Sequence, residues 1–142
     1  DNAIKNAVKR GKVYFGASAG GYVACPTIEM ATWKHADANK IHLKNLTGLA
    51  LVSFLVTAHF KEEYRPIIER AAETTKYLII ALKDGQAVLV VGKRVEIIGD
   101  GKNNIFNYHF PRLSPLCRKS VEGCKFKAKT FCLTINFILN YT

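Results

Sequence analysis

The sequence is short of several residue types, and each shortage narrows the class of protein. Its 142 residues include four Cys, four Pro, one Met and one Trp. The cysteines lack paired CxxC spacing, which argues against a zinc ribbon or a disulfide framework. No apolar run approaches the ~18 residues of a membrane span. We therefore expect no metal, no cofactor and no membrane contact, and free thiols suggest a reducing, cytoplasmic compartment.

Acidic residues are also scarce, and their scarcity is uneven. The chain has 21 Lys and Arg against 11 Asp and Glu, a net charge of +10. Residues 101–142 contribute +6 (seven basic, one acidic), which leaves +4 for residues 1–100. Basic residues are scattered over the first hundred positions without a nucleic-acid motif, so no nucleic-acid partner is expected. The shift predicts a domain over 1–100 and a divergent basic tail over 101–142, whether a frameshifted reading, a divergent end or a real extension.

Local patterns predict further elements. Helical spacing at residues 4–8 predicts a helix that ends at Gly11, and residues 87–91 and 94–98 predict a hairpin around Gly92 and Lys93. Residues 130–141 are apolar enough for a final strand.

A cluster of small residues is the most informative feature present. The run Gly16-Ala17-Ser18-Ala19-Gly20 follows an apolar stretch, residues 12–15, that predicts a buried strand, and it precedes a predicted helix. Strand, Gly-x-Ser-x-Gly and helix is the context of a nucleophile elbow. The turn exposes the serine hydroxyl and leaves the Ala19 N–H beside it as an oxyanion donor. The alternative is a glycine-rich turn whose serine only caps the helix.

A serine nucleophile needs a base, and the chain offers four histidines. His59 follows the apolar run at residues 48–58, which predicts a second central strand. Because functional groups gather at the carboxyl edge of a parallel sheet, Ser18 and His59 should share that edge. His35, His42 and His109 lie in less favourable segments, and a loop histidine without a role is the alternative for His59.

Taken together, these segments resemble the aspartyl dipeptidase (peptidase E) family of serine peptidases. The resemblance covers about residues 4–100 and rests on the Ser18 segment with Val23–Ile28, on Leu51–Phe54 with Ala58–Phe60, and on Asp84–Val90. It implies a class I glutamine amidotransferase-like fold, a three-layer α/β sandwich with a mostly parallel sheet. It also implies hydrolysis through an acyl-enzyme of short peptides that begin with aspartate.

The resemblance further implies an acid and a substrate-binding arginine. Asp37 lies between the serine and the histidine and is the predicted third triad member, with Glu29 as its competitor. Arg65, which precedes a helix begun by Pro66, is expected to bind the substrate's acidic side chain. The alternatives are solvated loop acids and a surface arginine paired with Glu62 or Glu69.

The resemblance also implies βα units upstream of residue 1 that would supply a second oxyanion donor. We therefore expect residues 1–142 alone to be an incomplete sheet, inactive as a peptidase and able to self-associate, for example as a homodimer. The alternatives are a non-catalytic α/β remnant and, less well matched by the His59 spacing, an α/β-hydrolase esterase.

Overall fold

A computed structural model describes residues 2–34, 39, 41–107 and, for the backbone, 136–140. None of its described helices is long and apolar enough to cross a membrane. The helices are α1 (Asn2–Lys9), α2 (Ala19–Ala24) and α3 (Arg65–Thr74), with 3₁₀ turns at Glu29–Thr32 and Glu62–Tyr64. The strands are β1 (Tyr14–Ala17), β2 (Leu55–Thr57), β3 (Ile79–Ala81), β4 (Ala87–Val91), β5 (Arg94–Ile98), β6 (Asn104–Phe106) and β7 (Asn136–Asn140).

The described strands form two small mixed sheets. One has the order β1-β7-β4-β5 and the other the order β2-β3-β6. Strands β2 and β3 pair in parallel, as do β4 and β7, whereas the other three pairings are antiparallel. The α/β class is confirmed. The described strands, however, do not form one mostly parallel sheet. Both β6 and β7 lie beyond residue 100 and pair with strands that precede it.

Several local predictions are confirmed. The hairpin forms as expected, with β4 and β5 joined by Gly92 and Lys93, and Gly92 has a positive φ of 57° that a tight turn requires. Helix α1 stops just before Gly11, whose φ is 83°. Pro66 lies in the first turn of α3. Of the apolar segment at 130–141, residues 136–140 form β7 and the others lie outside the described residues.

The predicted burial of the first strand is wrong. Strand β1 begins at Tyr14, and the preceding Val13 is 59% exposed while Phe15 is 57% exposed. Gly16 and Tyr14 face the opposite side, where Tyr14 reaches the backbone of α2. Only that face of β1 is covered by the described residues, because successive side chains of a strand point to opposite sides.

The second predicted strand is much shorter than the apolar run at 48–58. Only Leu55–Thr57 form β2, because the backbone of the preceding residues is bonded elsewhere. The N–H groups of Leu49, Ala50 and Leu51 donate to the carbonyls of Val23, Cys25 and Ala24 at 2.7, 3.0 and 2.8 Å. These carbonyls end α2 and have no partner inside the helix. The first part of the apolar run therefore donates hydrogen bonds to the last carbonyls of α2, and only its later residues pair in the sheet.

The core is built around the parallel pair. Every residue of β2 and β3 is buried, and their registers join Leu55 to Ile79 and Thr57 to Ala81. Ile68 of α3 and Met30 of the first 3₁₀ turn are both 0% exposed and pack into the same cluster. The loops that follow β2 and β3 therefore start from the buried parallel pair of strands.

Cys25, at the end of α2, gives a test of this packing. Its side chain is 0% exposed, its Sγ donates to the Gly21 carbonyl at 3.4 Å, and burial raises the pKa of its thiol to about 12. Because the thiolate is the reactive form, iodoacetamide at pH 8 should modify native Cys25 at least about a hundredfold more slowly than the urea-unfolded chain. Peptide mapping by mass spectrometry measures both rates. Equal rates would mean that α2 does not pack on the core as described.

Candidate active site

Ser18 occupies a strained turn between β1 and α2. The strand ends at Ala17 and the helix begins at Ala19, so Ser18 is the single residue between them. Its φ of 48° and ψ of −113° lie in a region of backbone angles that residues other than glycine rarely adopt. Its side chain is exposed. This is the sharp strand-to-helix turn of a nucleophile elbow.

The alternative role for Ser18, a side-chain cap of α2, is not what the structure shows. Its hydroxyl makes no capping hydrogen bond. The helix start is instead organised by the Ser18 carbonyl, which accepts from the N–H of Gly21 at 2.9 Å and from that of Tyr22 at 3.3 Å. The strained backbone therefore leaves the hydroxyl available for other chemistry.

The two outer glycines of the motif, Gly16 and Gly20, differ in the space available for a side chain. A Cβ on Gly16 would lie 2.6 Å from the Gly20 carbonyl oxygen, whereas a Cβ on Gly20 would meet nothing within 4 Å. Tyr14 fixes the same approach from the other side, because its hydroxyl donates to the Gly20 carbonyl at 2.8 Å. The close contact of strand and helix requires glycine at position 16 alone.

His59 lies at the predicted sheet edge and has an acidic partner. It follows the carboxyl end of β2 with a positive φ of 53°, and its Nδ1 lies 2.6 Å from Oδ1 of Asp84. Asp84 follows the carboxyl end of β3, and the parallel pairing of the two strands brings these ends together. An imidazole held by a carboxylate at Nδ1 presents Nε2 as the base, which is the arrangement of a serine-hydrolase triad.

Sequence reasoning missed Asp84 as a partner of His59. Its segment was recognised only as the start of the β4–β5 hairpin. The signal was nevertheless present, because Asp84 follows an apolar run, residues 77–81, as His59 follows another. Of the two acids that were predicted, Asp37 lies outside the described residues. Glu29 begins the first 3₁₀ turn and lines a shallow cavity against the end of α3, and no hydrogen bond or ion pair joins it to His59 in the described part of the chain.

The backbone beside His59 connects the histidine to the nucleophile helix. Among the described residues, no hydrogen bond joins Ser18 to His59, whose recorded side-chain bond is the one from Nδ1 to Asp84. The Ala58 N–H, however, donates to the hydroxyl of Tyr22 at 3.1 Å, and Tyr22 lies one helical turn after Ser18. Helix α2 therefore begins at the predicted nucleophile and contacts the residue before the predicted base.

Arg65, the predicted substrate-binding residue, is held by four side chains. Its Nε donates to Glu62 Oε2 at 2.7 Å and its second guanidinium nitrogen donates to Asn104 Oδ1 at 3.0 Å. The guanidinium carbon lies 5.4 Å from the ring centroids of both Phe60 and Phe106. The hydrogen bond from Arg65 lowers the pKa of the Glu62 carboxyl. The surface ion pair considered as the alternative is thus present, and the guanidinium lies close to the His59 loop.

Comparison with known proteins places the sequence in a family. The sequence profile described as peptidase family S51 matches residues 1–98. The chain belongs to peptidase family S51. This confirms the resemblance to the peptidase E (aspartyl dipeptidase) family, and that family implies a glutamine amidotransferase-like fold.

Two curated relatives of the S51 chain are themselves called peptidases. An uncharacterized peptidase of Pasteurella multocida is 28% identical over 104 residues, which is 70% of this chain and 49% of the relative. An uncharacterized peptidase of Listeria monocytogenes is 28% identical over 100 residues, 67% of this chain and 48% of the relative. The S51 chain thus spans about half the length of the curated relatives it matches. No solved structure matches it.

Within residues 2–34, 39 and 41–107, no three His, Cys, Asp or Glu side chains gather closely enough to hold a metal ion. The side chains that the structure does bring together are those of His59 and Asp84, an acid–base pair. Ser18 lies in a separate loop, at the start of α2.

The asymmetry of the motif glycines predicts different outcomes for two alanine substitutions. Gly16→Ala should destabilise the fold by roughly 1–3 kcal/mol, because its Cβ would overlap backbone atoms that cannot move freely. Gly20→Ala, the matched control, should leave stability unchanged or raise it by up to about 1 kcal/mol, since alanine favours a helix. Urea unfolding followed by circular dichroism compares them. Equal stabilities would contradict the close strand–helix approach.

Proposed function

We propose that this S51 chain carries the catalytic serine, histidine and acid of a serine peptidase that cleaves short peptides with an N-terminal aspartate. The carrying observation is the His59–Asp84 pair, with Nδ1 and Oδ1 2.6 Å apart at the carboxyl edge of β2 and β3. The exposed, strained Ser18 supports it. The proposed fold is the family's amidotransferase-like sandwich, and the proposed partner is a short peptide.

The proposed chemistry assigns one role to each residue. Ser18 Oγ attacks the scissile carbonyl carbon while His59 Nε2 takes the hydroxyl proton, and the Ala19 N–H donates to the developing oxyanion. Asp84 orients the imidazole and stabilises its cation. The C–N bond then breaks, the amine leaves with the proton from His59, and water hydrolyses the acyl ester by the same route. Asp37 remains the acid predicted from the sequence.

Ser18→Ala and His59→Ala should each reduce hydrolysis of aspartyl dipeptides by the full-length protein to a small residual rate, because they remove the nucleophile and the base. Asp84→Asn should reduce kcat roughly 100- to 10,000-fold, because the imidazole loses its orientation and its counter-charge. The measurements are steady-state kinetics and the rate at which a fluorophosphonate probe labels Ser18. Labelling should require both Ser18 and His59.

Asp37→Asn and Glu29→Gln are the matched controls for the choice of acid. A large loss in Asp37→Asn with none in Asp84→Asn would return the role to Asp37. A folded wild-type protein that neither hydrolyses the dipeptides nor reacts with the probe would instead support the non-catalytic alternative. Labelling at a residue other than Ser18 would overturn the proposal.

We also propose that Arg65 selects the acidic side chain of the substrate. The supporting observation is its place beside the His59 loop, with Phe60, the residue after His59, 5.4 Å from its guanidinium carbon. A planar guanidinium binds a carboxylate through two parallel hydrogen bonds. In the structure Glu62 occupies the Nε side of that fork at 2.7 Å, so a substrate carboxylate would compete with Glu62.

Arg65→Ala should reduce the ratio of kcat/KM for Asp-X over Asn-X dipeptides by ~10-fold or more, because the charged partner of the substrate is lost. Glu62→Gln should keep or raise the ratio, since it removes the competing carboxylate. Arg70→Ala, on the exposed side of the same helix, is the control. An unchanged ratio in Arg65→Ala would leave Arg65 with a structural role only.

A further inference from the structure

Both backbone polar groups of Ala58 are bonded to side chains rather than to a neighbouring strand. The Ala58 N–H donates to the Tyr22 hydroxyl at 3.1 Å, and the Ala58 carbonyl accepts from the ammonium of Lys34. Ala58 is 0% exposed, so these groups cannot be satisfied by bulk water. An unpaired buried backbone group costs free energy comparable to a lost hydrogen bond, and these two side chains remove that cost.

The same arrangement extends along one side of β2. Among the described strands, β2 pairs only with β3, through hydrogen bonds such as Leu82 N–H to the Thr57 carbonyl at 2.8 Å. On the other side a hydrogen bond from the Val56 backbone reaches the Cys25 thiol. Side chains of α2 and of the segment after it therefore take the place of a strand at this edge.

His59 is an extra residue in the ladder with β3. A regular parallel ladder would direct the His59 N–H to the Leu82 carbonyl, but the Phe60 N–H makes that bond instead, at 2.8 Å. The additional residue takes up a positive φ of 53°, as in a bulge, and turns the imidazole out of the strand. Such a conformation persists only where its neighbours fix it. Ala58 and Phe60 are those neighbours.

We propose that Tyr22 and Lys34 form a clamp on Ala58 that positions His59 relative to helix α2, and hence relative to Ser18. The inference rests on the proposed function of Ser18 and His59. Tyr22 sets the distance because it follows Ser18 by one helical turn. Lys34 completes the clamp, and its ammonium also lies 5.6 Å from the centre of the Tyr64 ring. Burial lowers the pKa of Lys34, and the charge of the nearby Asp84 opposes that effect.

The first test measures the hydrogen bond between Tyr22 and Ala58 by amide exchange and does not depend on catalytic activity. Tyr22→Phe removes one hydroxyl and should accelerate hydrogen exchange of the Ala58 amide by ~10-fold, the equivalent of one hydrogen bond. Exchange of the Phe60 amide, bonded to Leu82, should stay unchanged. Tyr77→Phe is the control for loss of a hydroxyl elsewhere. Unchanged Ala58 exchange, or equal acceleration at Phe60, would overturn a local clamp.

The second test reads its effect on chemistry in the full-length protein. Tyr22→Phe and Lys34→Met should lower kcat for an aspartyl dipeptide by ~10- to 100-fold with KM unchanged, because a displaced base affects the reaction and not binding. Lys34→Arg, which keeps a cationic donor, should restore most of the loss. Lys76→Met is the matched control, since Lys76 also lies over a tyrosine ring, 5.3 Å from the centre of Tyr77.

A third comparison separates the clamp from the proposed function. In a His59→Ala background the clamp substitutions should cause no further loss of residual activity, because they act through His59. Wild-type kcat in Tyr22→Phe and Lys34→Met, or a loss that persists without His59, would overturn the clamp alone. Full activity in Ser18→Ala and His59→Ala would overturn the proposed function, whatever the exchange data show.

Discussion

The unpaired edge of strand β2 is the constraint on which the candidate site depends. A buried strand with one neighbour must find partners for the backbone groups on its other side. Here the partners are Cys25 at Val56, and Tyr22 and Lys34 at Ala58. Because Tyr22 lies in α2 and Cys25 directly follows that helix, covering the edge also brings α2, which Ser18 precedes, to the loop of His59.

Arg65 and Glu62 show how weakly an exposed charge pair fixes a geometry. The Glu62 side chain is 61% exposed, and water screens such a surface pair so that it contributes little to stability. The guanidinium of Arg65 also has contacts that do not involve Glu62: its carbon lies 5.4 Å from the ring centroids of both Phe60 and Phe106, and it donates to Asn104 at 3.0 Å. These contacts remain when the carboxylate partner changes. This property suits exchange of Glu62 for a substrate carboxylate.

Local patterns in the sequence were sufficient for part of the fold and of the site. The strand-to-helix turn at Ser18 and the β4–β5 hairpin are determined by neighbouring residues, and both form as predicted. The Asp84 partner of His59 and the Asn104 partner of Arg65 depend on strand pairing across 25 and 39 residues, which composition does not encode. The exposure of Phe15 was missed because an apolar run does not reveal which face of a strand is covered.

Two of the described non-glycine residues with a positive φ are held by hydrogen bonds to other segments of the chain. Ala50 has a φ of 49°, and its N–H is bonded to the Cys25 carbonyl at 3.0 Å. Asn107 has a φ of 63°, and its side-chain amide donates to the carbonyls of Thr75 and Tyr77.

Ser18 and His59 share this conformation but keep exposed side chains, so their strain is fixed through the residues around them. For Ser18 these are the amides of α2 that donate to its carbonyl, and for His59 they are the bonded groups of Ala58 and Phe60. Strain fixed in this way leaves both side chains exposed while their backbones stay in place. In the proposed mechanism, the placement of Ser18 relative to His59 would therefore depend on the packing of α2 on β2, because no direct contact between the two side chains fixes it.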